Sequence, residues 1–280
     1  MPSAALKEAI ERKRAEVARA RGTLPFAELE AQVLQADPPR NLFAAVTQHR
    51  TMAHISVIAE LRRAEADGSL VRAEFAADGP GAYAPAELAR RYHAAGAAAL
   101  SVVTDPAQRG SLAHLEAVRH AVPIPVLRRD LIIDPWQLWE TRAAGADGVL
   151  LTAEALPEAT LLDLLILSQQ LGLTTLLLAH SIESLLRVRP HVGFPHRAYA
   201  LLGISNRDPE SGTEDLGHTL RLMDLVEDPG VLVSEGGIRG RDDLLTLRRL
   251  GVRIVLVGTE LLRRADPAAA LAELLAPRVR

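Results

Sequence analysis

The 280-residue chain contains no cysteine. That excludes disulfides, thiolate metal sites and a cysteine nucleophile. Lysine is nearly absent too: of 32 lysines and arginines, only Lys7 and Lys13 are lysines. A codon bias toward arginine accounts for most of this, but it does not make the two side chains equivalent in a catalytic site. Excess charge of either sign is also missing. The formal net charge is −3, so no basic field points to nucleic acid or an anionic membrane. No apolar run reaches the roughly 18 residues that a membrane span needs. The opening stretch "MPSAALKEAIERKR" carries no apolar h-region, so no secretory signal is expected. Neither G-x-S-x-G nor G-x-x-x-x-G-K-[ST] occurs. These absences leave a cytoplasmic protein acting on a small molecule, with no cofactor expected.

What is present is a large apolar fraction, 48% of residues, arranged with a period. Eight short β-rich runs recur: 56–62, 98–105, 125–132, 148–153, 174–180, 201–206, 231–237 and 253–259. Amphipathic stretches such as "APAELARRYHAAGA" and "RDDLLTLRRLG" lie between them, three ending in Gly or Gly-Ala just before the next run. Buried parallel strands read as continuous apolar runs, and these do. The expected fold class is α/β, a single (β/α)8 TIM barrel over 56–280; a doubly wound open sheet is the alternative. Residues 1–55 predict an N-terminal helical extension that packs on the barrel and caps one of its ends.

Barrel chemistry is built at the C-terminal ends of the strands. Those positions offer Glu60, Arg62 and Arg63, then Thr104 and Asp105, Arg129 and Asp130, Thr152 and Glu154, Leu178 and His180, Ser205 and Arg207, Glu235, and finally Gly258 and Thr259. "SEGGIRGRDDLLTL" and "LVGTELLRR" each run a glycine turn into a helix. Bared N–H groups and helix N-termini aimed at one point favour a phosphate dianion, so Gly236, Gly237, Gly258 and Thr259 are the expected phosphate-binding residues. Glu60, Arg62, Arg129 and Glu235 are expected to point inward; their bland alternative is a charge network that only holds the barrel together. Burying four charges for structure alone is expensive. His180 ends the fifth run with no second ligand at a metal-like spacing, so no metal is expected.

These segments together resemble the indole-3-glycerol phosphate synthase family across nearly the whole chain. "LKEAIERKRAEVARARGTLPFAELEA" resembles its N-terminal helical extension, and "PPRNLFAAV" its link to the barrel. "VIAELRRA", "AGAAALSVVTD", "GSLAHLEAVRHAVPIPVLRRDLIIDPWQLWETRAAGADGVLL", "LLGISNRD" and "SEGGIRGRDDLLTLRRLGVRIVLVGTELLRR" each match a family block. The resemblance implies a lyase that closes an indole ring on a carboxyphenylamino-deoxyribulose phosphate, with loss of carbon dioxide and water. It implies catalytic roles for Glu60, Arg62, Arg129, Glu235 and Ser205, substrate contacts from Arg207, Leu178 and His180, and a monomer or homodimer.

Several positions depart from the family pattern. Its strand-1 and strand-3 lysines are Arg62 and Arg129, its strand-5 glutamate is Leu178, its strand-6 asparagine is Ser205, and its serine after the strand-7 glutamate is Gly236. Thr259 replaces a serine. The loop "TDPAQRGS" is one residue short and lacks the family's phenylalanines, and "VRPHVGFPHRAY" is an insertion. A general acid works best with a pKa near the operating pH, whereas arginine stays protonated. Changes clustered at the site lead to the expectation of a divergent enzyme, acting on a phosphorylated sugar or sugar-amine in a related cyclisation, decarboxylation or dehydration. The alternatives are the family's own reaction in tryptophan biosynthesis and a non-catalytic phosphate-ligand-binding protein.

Overall fold

The computed structural model describes residues 3–48, 54–76, 82–196, 198–208 and 211–276. Eight parallel strands close into a barrel in sequence order: β1 (Ser56–Leu61), β2 (Ala99–Val103), β3 (Val126–Arg129), β4 (Gly148–Thr152), β5 (Thr174–Ala179), β6 (Ala200–Ser205), β7 (Leu232–Glu235) and β8 (Ile254–Val257). Each lies within one of the eight apolar runs, apart from the first residue of β6. The open-sheet alternative is excluded by the β1–β8 pairing, which sets Ser56 beside Ile254 and Ala59 beside Val257.

Helices α1 (Ala4–Thr23), α2 (Phe26–Gln35) and α3 (Leu42–Thr47) precede the barrel. Helices α4 (Pro85–Ala94), α5 (Leu112–Ala121), α6 (Pro135–Ala143), α7 (Glu158–Gln170), α8 (Ile182–Val188), α9 (Gly217–Leu222) and α10 (Arg241–Arg249) follow β1 to β7 in turn. Short α11 (Thr259–Leu262) and α12 (Pro267–Leu275) follow β8. Among the described residues, no helix is long and apolar enough to cross a membrane.

Side chains alternate between the barrel interior and the helical shell, as strand geometry requires. Ile58, Leu127, Leu176, Leu178, Leu201, Val233, Ile254 and Leu256 fill the interior. Val57, Ala59, Leu61, Val102 and Val126 face the shell.

The extension does not cap one end, as its position before the barrel suggested; it reaches both. Leu42 and Val46 of α3 join the interior cluster from below. Arg40 anchors that end through its N–H to Asp147 Oδ1 (2.6 Å) and Nη1 to the Ile124 carbonyl (2.8 Å). Helix α1 reaches the opposite end: Lys13 Nζ lies 2.7 Å from Asp130 Oδ1 and 3.3 Å from Asp105 Oδ1, beyond β3 and β2. The insertion at 188–199 precedes β6 and so lies at the end away from the chemistry. There Gln169 Nε2 donates to the Phe194 carbonyl (2.8 Å); Arg197 lies outside the described residues. Parts of the expected spans 1–55 and 56–280 also lie outside, at 1–2, 49–53, 77–81, 209–210 and 277–280.

Candidate active site

The alternation that packs the interior also delivers the polar groups. One step above the apolar layer stand Glu60 after Ile58, Arg129 after Leu127, His180 after Leu178, Ser205 after Gly203, Glu235 after Val233 and Gly258 after Leu256. Arg129 bridges two acids: Nη2 donates to Glu235 Oε1 (2.5 Å), and Nη1 lies 3.2 Å from Glu60 Oε2. Arg62 Nε lies 2.7 Å from Glu60 Oε1. A Cβ on Gly258 would fall 2.7 Å from Glu60 Oε1, so only glycine leaves room for that carboxylate. Burial alone would lower the Arg129 pKa, but Glu235 and Glu60 outweigh it and push it up. Burial alone would raise the Glu235 carboxyl, and Arg129 outweighs it and pulls it below the ordinary range. Neither partner is then a ready proton donor near neutral pH. Three buried atoms of this layer, Arg62 Nε, Arg129 Nη1 and Glu235 Oε2, make no hydrogen bond within the chain.

Two neighbouring places hold anions, and both anions belong to the chain. Gly236 and Gly237 have φ of +80° and +70°, a conformation open to glycine. Their turn lets the Gly237 N–H donate to Glu214 Oε2 (2.7 Å). Across the barrel top, Glu65 receives Arg62 Nη1 (3.0 Å), Arg263 Nη2 (3.1 Å) and the Thr259 hydroxyl (3.2 Å), with Arg207 Nη1 at 3.5 Å. Sequence reasoning missed both acids, because only the folded loops bring them to these donors. It also expected helix N-termini to form the cradle. Instead α10 begins at Arg241, and Asp243 Oδ2 takes the N–H groups of Arg239 (2.8 Å) and Gly240 (3.1 Å). Helix α11 has only four residues. The donors on Glu214 and Glu65 are the Gly237 N–H and the Arg62, Arg263 and Thr259 side chains.

The remaining expected residues separate by depth. Leu178 is buried in the interior layer; a Cβ on Gly203 would fall 2.8 Å from its Cδ1. His180, Ser205 and Arg207 line a cavity of about 480 Å³ with Asn206 and His218. A cleft of similar volume against α6, lined by Leu24, Phe26, Trp136 and Trp139, lies outside the barrel and away from these groups. His180 is held by Glu154, which accepts its N–H at Oε1 (2.7 Å) and pairs with its Nδ1 at Oε2 (3.1 Å). Ser184 Oγ also donates to Glu154. Burial alone would raise the Glu154 pKa, but these hydrogen bonds and the His180 ring outweigh it and lower it to about 2. Aromatic rings, absent from the β2–α5 loop, arrive from the β1–α4 loop. Phe75 and Tyr83 stack edge to face at 5.1 Å. Burial, and next the charge of Glu60, push the Tyr83 hydroxyl pKa up, while Arg62 opposes them. That hydroxyl is buried and unpaired. Among the described residues, no cluster of three or more histidines or acids is arranged to hold a metal.

The indole-3-glycerol phosphate synthase family model matches residues 6–274. The chain is 38% identical over 270 residues to indole-3-glycerol phosphate synthase of Acidithiobacillus ferrooxidans, covering 96% of this chain and 97% of that one. It is 37% identical over 271 residues to the enzyme of the same name from Rhodospirillum rubrum, covering 96% and 98%. Among solved structures, 3-hexulose-6-phosphate synthase from Salmonella typhimurium superposes with a TM-score of 0.58 at 16% identity, over 79% of this chain and 96% of that one; this shows the fold alone. The full-length likenesses overturn the expectation of a divergent enzyme with a changed reaction. Relatives alike over nearly the whole chain carry the plain family name, so the family's own reaction is the alternative favoured. The physical reasons for the changed reaction also weaken in the fold. Arg62 and Arg129 keep the positive charges among acids, and the β1–α4 loop brings a buried Tyr83 close enough for the Glu60 charge to act on its hydroxyl.

Proposed function

The chain belongs to the indole-3-glycerol phosphate synthase family, and on that premise we propose that it makes indole-3-glycerol phosphate from the carboxyphenylamino-deoxyribulose phosphate, as a lyase of tryptophan biosynthesis. In this reaction the ring carbon that bears the carboxylate attacks the ketone carbon, and the carbonyl electron pair moves to oxygen. Carbon dioxide leaves that ring carbon, returning its electron pair to the ring. Water is then lost. The protein must neutralise the growing alkoxide, seat two anions of the substrate and provide protons.

The observation that carries this reading is the inward layer Glu60–Arg129–Glu235 flanked by two anion seats. Arg129 is clamped by two carboxylates yet leaves Nη1 without a hydrogen bond. A fixed guanidinium in a water-poor site stabilises an oxyanion without reorganising. The seats at Gly237 and around Glu65 hold carboxylates, so their donors suit the phosphate and carboxylate of the substrate. Ser205 and Arg207 line the neighbouring cavity and supply part of its polar wall. Incubating the purified protein with the carboxyphenylamino substrate tests the proposal. Steady appearance of indole fluorescence is expected, and its absence at micromolar enzyme overturns it.

A further inference from the structure

The reaction needs a proton on the ketone oxygen, and the charged layer is poorly equipped to give one. Arg129 is pushed further into its cationic form, and Glu235 is held ionised. Leu178 has no proton to give. One group of the strand-end layer differs from these: the imidazole of His180, whose ordinary pKa lies near neutrality. It follows Leu178 by two residues, just past the end of β5; its side chain is 20% exposed and lines the cavity. Glu154 takes both its backbone N–H and its Nδ1, which leaves Nε2 as the ring atom free for the cavity. A carboxylate on one imidazole nitrogen fixes the tautomer and the ring orientation.

We propose that His180 is the general acid of this site: its Nε2–H protonates the ketone oxygen as the carbon–carbon bond forms, while Glu154 orients the ring and Arg129 stabilises the oxygen until the proton arrives. The step balances. The carbonyl π pair becomes the oxygen lone pair, that pair takes the proton from Nε2, the N–H electrons stay on the neutral imidazole, and solvent restores the proton between turnovers. Net proton uptake matches the conversion of a carboxylate to neutral carbon dioxide. The inference rests on the proposed reaction and adds the proton source to it.

Charges reach His180 from three sides. Glu154 presses from the turn after β4, and Glu235 from β7 feels the His180 charge. From α9, His218 hydrogen-bonds the His180 backbone, and its own pKa is lowered by burial and by Arg221, with Asp215 opposing. Arg207 lines the same cavity from the loop after β6. An acid that must carry its proton to act makes activity fall on an alkaline limb as that proton is lost. The test follows kcat and kcat/KM against pH for the intact protein, His180→Gln, His180→Asn and Glu154→Gln, with calorimetry of inorganic phosphate as a binding readout. His180→Gln and His180→Asn are expected to lose about 10²–10³-fold in kcat and the alkaline limb, while phosphate affinity stays within about twofold. Glu154→Gln is expected to keep the limb and to lower kcat more than it changes KM, because the amide no longer fixes the ring's tautomer and orientation. A merely structural histidine would not move that limb. If both His180 variants bind phosphate and keep the wild-type kcat and profile, His180 is not the acid, and the proposed reaction stands. If the intact protein gives no indole fluorescence, the reaction itself is wrong, and the role assigned to His180 falls with it.

Discussion

Arg128 and Arg129 are neighbours on β3 and live in opposite worlds. Arg128 faces the helical shell, and every nitrogen of its head is used. Nε donates to Thr104 Oγ1 (3.0 Å), Nη1 to Glu140 Oε2 (2.8 Å) and Nη2 to Asp130 Oδ2 (2.8 Å). Asp130 in turn holds Lys13 of α1, so this network fastens the extension to the barrel. Arg129 faces inward and keeps Nη1 unbonded; beside it Glu235 keeps Oε2 unbonded. A buried network made for stability satisfies its members, because an unpaired buried polar group costs about 1–3 kcal/mol. A network made for a ligand leaves some groups waiting. Two adjacent residues of one strand thus separate scaffold from site by the two-residue period alone.

The largest expected effect breaks the outer network. Asp130→Asn removes the charge that Arg128 and Lys13 share, and breaking a buried pair typically costs about 3–5 kcal/mol. Thermal unfolding should show a melting temperature lower by roughly 10 °C, since about 1 kcal/mol shifts it by 2–4 °C in a chain of this size. The matching inner change, Arg129→Lys, keeps the charge between Glu60 and Glu235. It should cost stability less than about 1 kcal/mol but change kcat, because one ammonium cannot span both acids as the guanidinium fork does. Equal destabilisation by the two changes would collapse the distinction.

The second effect is pH dependence of the outer network. Burial alone would raise the Asp130 pKa, but Arg128 and Lys13 outweigh it and lower it to about 2. A carboxyl whose folded pKa lies below its unfolded value of about 3.9 stabilises above that value and loses its contribution as pH falls. The stabilisation, on the order of 2 kcal/mol, should disappear between about pH 4 and 2. Urea unfolding across that window checks it. Asp130→Asn should flatten the curve there, and an unchanged slope in the variant would contradict this assignment.

The sequence carries the fold because both of its periods are visible in it. Continuous apolar runs marked the strands, and their C-terminal ends marked where Glu60, Arg62, Arg129 and Glu235 were expected to turn inward. Lys13 drew notice only as a rare residue type; its burial between Asp105 and Asp130 depends on how α1 crosses the barrel end, which no local pattern encodes. The anion seats were half legible. Gly236 and Gly237 announced a turn, yet Glu214 and Glu65 lie in irregular loops, where spacing says little about contact. The absence of phenylalanine after β2 was legible and misleading, since Phe75 and Tyr83 reach the same side of the barrel from another loop.

Those seats offer the smallest effect and the sharpest comparison within the inner region. Glu214 occupies the Gly237 N–H, so an incoming phosphate dianion must displace a carboxylate and overcome its charge. Glu214→Gln keeps the shape, removes the charge and weakens the acceptor. Inorganic phosphate should then bind several-fold to tenfold more tightly, up to about 1.4 kcal/mol, with the gain shrinking at high salt as the charge interaction is screened. Glu65→Gln offers the contrast: Arg62, Arg263 and Arg207 surround that acid, and removing its charge frees three cations for a ligand carboxylate rather than one backbone N–H. A gain for phosphate in the first variant but not the second would assign the phosphate to the glycine turn. A gain only in the second would move it to the arginine cluster, and unchanged affinity in both would show that neither carboxylate stands where the dianion binds.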